Sequence, residues 1–188
     1  MKENALYSID RVQVAQDTFR TQGINFKGMS GAVPTHVLIG FVNSTAARGT
    51  ADVNPFNFQN FGLRRLQISV GGQNFPRPEF TPQFDGDDLA GARVAREYTA
   101  LTKLAHKSFG SPEGLLVSMG DWCGGYGLFG FDLTPDLDHG HWSPSYRGEL
   151  EVRGEFAAQP AADVTMIIVT WTPSVFEVSG VREVTKNW

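Results

Sequence analysis

The sequence predicts an all-β domain, a sandwich or barrel of about eight antiparallel strands with one helix inserted mid-chain, and three observations carry that expectation. Aromatic residues make up 12 % of the 188, with 14 Phe, while 21 Gly and 10 Pro recur at short intervals. Segments rich in β-branched and aromatic residues follow one another between those turn formers. Only one stretch has a sustained helical period, so a doubly wound α/β fold, in which helices and strands alternate, is excluded.

Tyr7–Phe19 opens the chain with Tyr7, Ile9, Val12, Val14 and Phe19, a first strand running into an extended segment. Pro34–Val42 has a continuous apolar centre, Val37 to Ile39, followed by Phe41 and Val42, which suits a strand covered on both faces. Asn54-Pro-Phe-Asn-Phe-Gln-Asn-Phe61 places a capping Asn before Pro at a first helical position and predicts one helical turn pinned by Phe56, Phe58 and Phe61. Leu63–Val70 alternates Leu66, Ile68 and Val70 against Gln67 and Ser69; Gly71-Gly72 supplies a hairpin turn, and Gln73–Phe84 returns as a Pro-rich extended segment.

The long helix is expected between about residues 89 and 107. Asp87 and Asp88 would cap its start, Val94, Tyr98, Leu101, Leu104 and Ala105 make one apolar stripe, and Gly110 and Pro112 stop it. Strands resume with Tyr126–Leu133 and with Glu149–Phe156, where Leu150, Val152 and Phe156 oppose Glu149, Glu151, Arg153 and Glu155. Asp163–Trp171 is apolar on both sides and reads as a central strand. Val175–Val178 and Val181–Val184 would close the chain as a hairpin across Ser179-Gly180. With no repeat and no linker, residues 1–188 are expected to form a single domain.

Composition then narrows the function. Sixteen Lys+Arg against 20 Asp+Glu give a net charge of −4, which offers no global pull toward nucleic acid. The basic residues Arg93, Arg96, Lys103 and Lys107 fit a solvated helix face, so no dedicated nucleic-acid site is expected. The longest apolar run, Met166 to Val169, is far short of the roughly 18 residues of a membrane span, and Met1 to Asp10 lacks the apolar core of a secretory signal. A single cysteine, Cys123, rules out an internal disulfide and a cysteine-rich zinc site.

One patch has the look of metal chemistry. Asp136-Leu-Asp-His-Gly-His141 sets His139 and His141 beside carboxylates and invites a cupin-like metalloenzyme using Asp136, His139 and His141. A cupin wants a Glu about four residues after the His pair and a later His. Residues 142–148 hold no Glu and no His follows His141, so the stretch is better explained as a polar surface loop. Cys123, in Asp121-Trp-Cys-Gly-Gly125, has no neighbouring base and fits a small buried hydrophobe. No nucleophile elbow or dinucleotide fingerprint exists, and Asn43-Ser44-Thr45 is best read as a turn. A ligand-binding sandwich is the other alternative, with Trp122, Trp142 and Tyr146 as stacking faces for carbohydrate. The residues therefore describe a non-enzymatic sandwich with no cofactor, which would work through its surfaces.

Three segments together carry a resemblance. Val53–Gly62 with the following Leu66–Pro76, then Gly125–Leu137, then Gly148–Phe156 with Val164–Val184, resemble the C-terminal jelly roll of the double jelly-roll major capsid proteins of Polinton-like and adintovirus-like elements. The specific part is Asn54, Pro55, Phe56, Phe58 and Phe61 together with Phe131, Asp132, Leu133, Pro135 and Asp136. The resemblance implies a jelly-roll β-sandwich of two four-stranded sheets. It implies that the phenylalanines and Leu133 pack core and corner, and that Asp132 and Asp136 fix the turn around Pro135. Since the family's full chain has a first jelly roll upstream, the segment would be a second jelly roll, a divergent single-jelly-roll component or an exapted relic. Its implied partners are copies of itself and other capsid subunits, as a homo-oligomer in a virion shell assembled in an infected cell.

Overall fold

The computed structural model describes residues 4–84, 93–109, 116–134, 147–180 and 183–187. It contains strands β1 (Ala5–Phe19), β2 (Gly23–Ala32), β3 (His36–Asn43), β4 (Leu63–Val70), β5 (Gln73–Phe80), β6 (Leu128–Asp132), β7 (Arg147–Phe156), β8 (Val164–Val178) and β9 (Val184–Asn187). Helices are α1 (Ser44–Ala47), α2 (Ala95–Phe109) and α3 (Met119–Gly124). The first sheet has the order β1-β8-β3-β6, with β9 added to the far end of β8; the second has the order β2-β7-β4-β5. Every pairing between these strands is antiparallel. The chain passes from one sheet to the other at nearly every connection, and this winding is that of a jelly-roll sandwich.

Alternation in sequence explains which side chains lie between the sheets. Val37, Ile39 and Phe41 of β3, Phe129 and Phe131 of β6, and Val164, Met166 and Ile168 of β8 meet Leu66, Ile68, Leu150, Val152 and Phe156 of the second sheet, all buried. Rings join into one chain of contacts across that core. Phe156 lies 5.5 Å from Phe41, Phe41 lies 6.2 Å from Phe129, and Phe129 lies 5.4 Å from Trp122, each edge to face. Tyr98 of α2 continues the chain, 6.2 Å from Trp122.

The turn between β4 and β5 forms where Gly71 and Gly72 both adopt positive φ, 55° and 83°, the conformation a two-residue hairpin loop requires. Helix α2 crosses the outer side of β6. A Cβ on Gly130 would stand 2.9 Å from Leu104 Cδ2 and 3.1 Å from Leu101 Cα, so the close approach depends on glycine. The helix start is tied to the end of β5. The buried Glu97 carboxylate accepts the Thr81 backbone N–H at 3.1 Å, and Arg96 donates to the Glu79 carbonyl at 2.9 Å while its guanidinium lies over the Phe80 ring.

Several expectations need correction. Strand β2 was not expected, because the register shift between Lys27 and Met29 moves its apolar residues from one face to the other and destroys the period of two. The long helix begins at Ala95 and not near 89: Arg93 forms an isolated bridge with Gln83. Asp87 and Asp88 lie outside the described residues. The stretch 54–61 forms turns in place of a helical turn; Asn54 Oδ1 accepts the Phe56 N–H at 2.9 Å, and by Phe58 the backbone is extended enough to bridge Tyr126. Asn43-Ser44-Thr45 opens the one-turn helix α1, with Asn43 Oδ1 accepting the Thr45 N–H at 2.9 Å. At the end, Val175–Val178 is the continuation of β8 and pairs with β9, which starts at Val184; Ser179 N–H donates to the Glu183 carbonyl at 2.8 Å, and Val181 lies outside the described residues.

Replacing Gly130 by Val should cost about 2 kcal/mol through overpacking against Leu101 and Leu104. Urea denaturation with an unchanged slope would read it; an unchanged midpoint would show that α2 is not seated on β6.

Candidate functional site

The stretch 58–61 sits at one corner of the sandwich, at the Gly40–Leu128 end of the β3–β6 ladder, while Phe131, Asp132 and Leu133 lie at the other end of β6, toward Thr35. Gln59 N–H donates to the Phe41 carbonyl at 2.9 Å, and Gly127 N–H donates to the Phe58 carbonyl at 2.8 Å. Asn60 Nδ2 donates to the Cys123 carbonyl at 3.2 Å. The stretch after β3 is thereby joined to the end of α3 and the start of β6. Phe58 closes the corner: a Cβ on Gly40 would stand 2.7 Å from its ring, so glycine lets the ring lie on β3. Phe61, at φ 48°, puts its ring 6.4 Å from Phe156. Phe131 and Leu133 are buried.

Phe56 does not join them. It is 68 % exposed, because the turn at Asn54 directs it away from β3, and the expectation that it packs the core is wrong. Asp132 Oδ1 accepts the Thr134 backbone N–H at 3.0 Å, and His36 Nε2 lies 3.9 Å from the same oxygen. Pro135 and Asp136 lie outside the described residues. So do His139 and His141, and with them the expected metal candidates; among the described residues no three His, Cys, Asp or Glu side chains gather as a metal site.

Trp122 cannot be a stacking face for a ligand. It is fully buried at the end of the ring chain, and its Nε1–H donates to the Leu128 carbonyl at 2.7 Å. Trp142 and Tyr146 lie outside the described residues. Between the sheets, near Gln13, Val33, Leu150, Thr170 and Thr172, a cavity of about 20 Å³ has room for little more than one water. Burial pushes the half-buried Cys123 thiol above its ordinary value, opposite to what an activated nucleophile needs.

What the fold presents are its two outer faces, and their chemistry differs. On the second sheet, ladder partners set Lys27 beside Glu151 and Arg65 beside Glu155. Lys27 Nζ is 2.8 Å from Glu151 Oε1, Arg153 binds the same carboxylate, and Arg65 binds Glu155. Hydrogen bonds from Lys27 and Arg153 hold the Glu151 carboxyl below its usual range, and Glu155 raises the Arg65 guanidinium. Such exposed pairs add little stability but keep a face hydrated.

The first sheet's outer face has an apolar centre, flanked on β1 by the exposed Asp10, Gln16 and Thr18. Register places Val12, Trp171, His36 and Asp132 in one row across β1, β8, β3 and β6, and Val14, Val169, Leu38 and Gly130 in the next. Helix α2 covers the Gly130 end. The β1 end is open, with Val12 52 % and Val14 67 % exposed. Sequence reasoning missed this face because it rests on the pairing register, and β1 alone shows only an irregular mixture of polar and apolar residues.

Comparison with known proteins agrees with the geometry as far as the fold. No protein-family model matches the chain. An uncharacterised protein of Caenorhabditis elegans is 29 % identical over 104 residues, which make up 55 % of this chain and 24 % of that protein. Among solved structures, a chain of the Sputnik virophage cryo-EM structure superposes on 100 % of this chain with a TM-score of 0.58 and 12 % identity, and 39 % of its own length is covered. A chain of the PBCV-1 virus capsid superposes with a TM-score of 0.52 and 11 % identity, with 52 % of its length covered. The chain thus spans a quarter of the curated relative and between two fifths and about half of these structures. Its fold is the jelly-roll β-sandwich found in viral capsid chains.

Two outcomes follow from the corner and its thiol. Phe58→Ala should cost about 2 kcal/mol in chemical denaturation, while Phe56→Ala should stay within about 0.5 kcal/mol; equal effects would mean that Phe58 does not hold the corner. Alkylation of Cys123 at mildly alkaline pH should be several-fold slower in the native protein than in urea, and equal rates would show an open thiol.

Proposed function

We propose that the chain is a capsid-type jelly-roll subunit, a non-enzymatic structural component that joins copies of itself and other capsid subunits by lateral contact into a virion shell. The observation that carries this reading is the winding of strands through two sheets among the described residues, in a chain that superposes in full on viral capsid chains. Residues 1–188 form one jelly roll. It acts either as the second jelly roll of a double jelly-roll major capsid protein of the Polinton-like and adintovirus-like kind or as a single-jelly-roll component. The motif Asn54, Pro55, Phe56, Phe58 and Phe61 with Phe131, Asp132, Leu133, Pro135 and Asp136 is its sequence mark, in which Phe58, Phe61, Phe131 and Leu133 pack and Phe56 is presented at the surface.

The unequal outer faces support the reading. An apolar sheet face gains from being covered by a neighbour, whereas the ion-paired face of the second sheet would lose hydration if covered. No helix among the described residues is long and apolar enough to cross a membrane.

Light scattering after size exclusion and negative-stain imaging at rising concentration test the proposal. Masses well above the 20.6 kDa monomer and ordered arrays or closed particles are expected. A chain that stays monomeric at high concentration, alone and with co-expressed capsid components, would overturn it.

A further inference from the structure

We propose that two copies of this chain pair edge to edge through β1, antiparallel about a two-fold axis at Val14 perpendicular to the sheet, so that their first sheets run on as one. This deepens the assembly reading by naming one contact and its partner, a second copy of the same chain.

Edge strands offer unpaired backbone groups to other chains, and proteins blunt them with bulges, prolines, short length or a covering element. Three of the four sheet edges are blunted in these ways. Strand β2 carries the bulge between Lys27 and Met29, β5 contains Pro76 and Pro78, and β6 spans only Leu128–Asp132 under α2. The added β9 is only four residues long. Among the described residues, strand β1 has none of these protections: it runs 15 residues without Pro, Gly or bulge, and its register with β8 is unbroken from Ala5 against Val178 to Phe19 against Val164.

Its charges select how a second copy would lie. Directly opposed residues of an antiparallel pair share a face, so the two-fold axis must pass through a residue. Within β1 the charged residues are Asp10, Arg11 and Asp17. Centring on Val14 sets Arg11 against Asp17 twice, once on each side of the axis. No other such register opposes unlike charges, and centring on Asp10, Arg11 or Asp17 opposes like ones. Inward-facing charges on an edge strand can serve to repel a partner. Here they are of opposite sign and symmetrically placed about Val14, so under this axis they attract. The same register sets Ile9 against Phe19, Val12 against Gln16 and Val14 against Val14. The exposed Val12 and Val14 would then form the middle of an apolar face that continues through Val169 and Trp171 into both copies.

The test uses the full chain. Sedimentation equilibrium should show a dimer. Either Arg11→Asp or Asp17→Arg should weaken it by about tenfold or more, and the double exchange should restore it, which a mere folding defect would not allow. In a Cys123→Ser background, Val14→Cys should oxidise to a covalent dimer. Val12→Cys should not, because its two copies would lie about 13 Å apart along the strands, beyond disulfide reach. Failure of Val14→Cys to cross-link, equal cross-linking by Val12→Cys, or indifference to both charge reversals would overturn the pairing. Particles that form without the Val14→Cys cross-link would overturn the pairing and leave the shell reading intact. Cross-linked dimers that never grow into larger assemblies would support the pairing and count against the shell, and a strict monomer would overturn both.

Discussion

The chain of rings from Phe156 through Phe41 and Phe129 to Trp122 is the contact on which the rest depends. It crosses the gap between the sheets at Phe156–Phe41, passes along the first sheet to Phe129, and leaves the sandwich at Trp122, where α3 and α2 gather through Tyr98. Edge-to-face geometry gives each step a directional preference beyond the area buried. The two sheets and the helical insertion are therefore positioned relative to each other by one set of side chains. The Trp122 hydrogen bond to Leu128 ties that set to the first residue of β6.

The surface follows from this interior arrangement. Because Phe129 and Phe131 fill the inner side of β6, Gly130 between them faces outward, and its missing side chain lets α2 lie on the sheet. Glycine serves the same end at Gly40, where Phe58 rests on β3. The β6 end of the first sheet's outer face is thus sealed by the chain's own insertion. The open end, around Val12 and Val14, keeps the same apolar character without the cover, and the opposite face of the molecule spends its side chains on ion pairs.

Much of the fold was legible in the sequence where a single period governs the segment. Leu150, Val152 and Phe156 alternate without interruption, β3 appears as a continuous apolar run because both of its faces are covered, and β8 does so because its outward residues Ile167, Val169 and Trp171 belong to a partly open apolar face. The Gly71-Gly72 turn declared itself because few residues tolerate two successive positive φ values. What stayed hidden arises from irregularity or from pairing. The bulge in β2 scrambles its period, Asn54 can begin either a helix or an Asx turn, and nothing near Trp122 distinguishes an indole buried by distant rings from one offered to a ligand. The apolar outer face belongs to four strands at once and is visible only after Val12, Trp171, Leu38 and Val169 are laid in register.

The pairing of β1 with β8 joins residues 5–19 to residues 164–178. A chain emerging from the ribosome must hold residues 5–19 without their partner until residues 164–178 are made, at roughly 5–20 residues per second. The hairpin β4–β5 can close early because its loop is two residues long. The first sheet cannot, and loop-closure entropy makes its formation late and slow. During those seconds the long, unblunted β1 is exposed on both edges, so this part of the nascent chain is most open to wrong strand partners along residues 5–19. Synthesis rate and chaperone access would then govern yield more strongly than the stability of the finished sandwich.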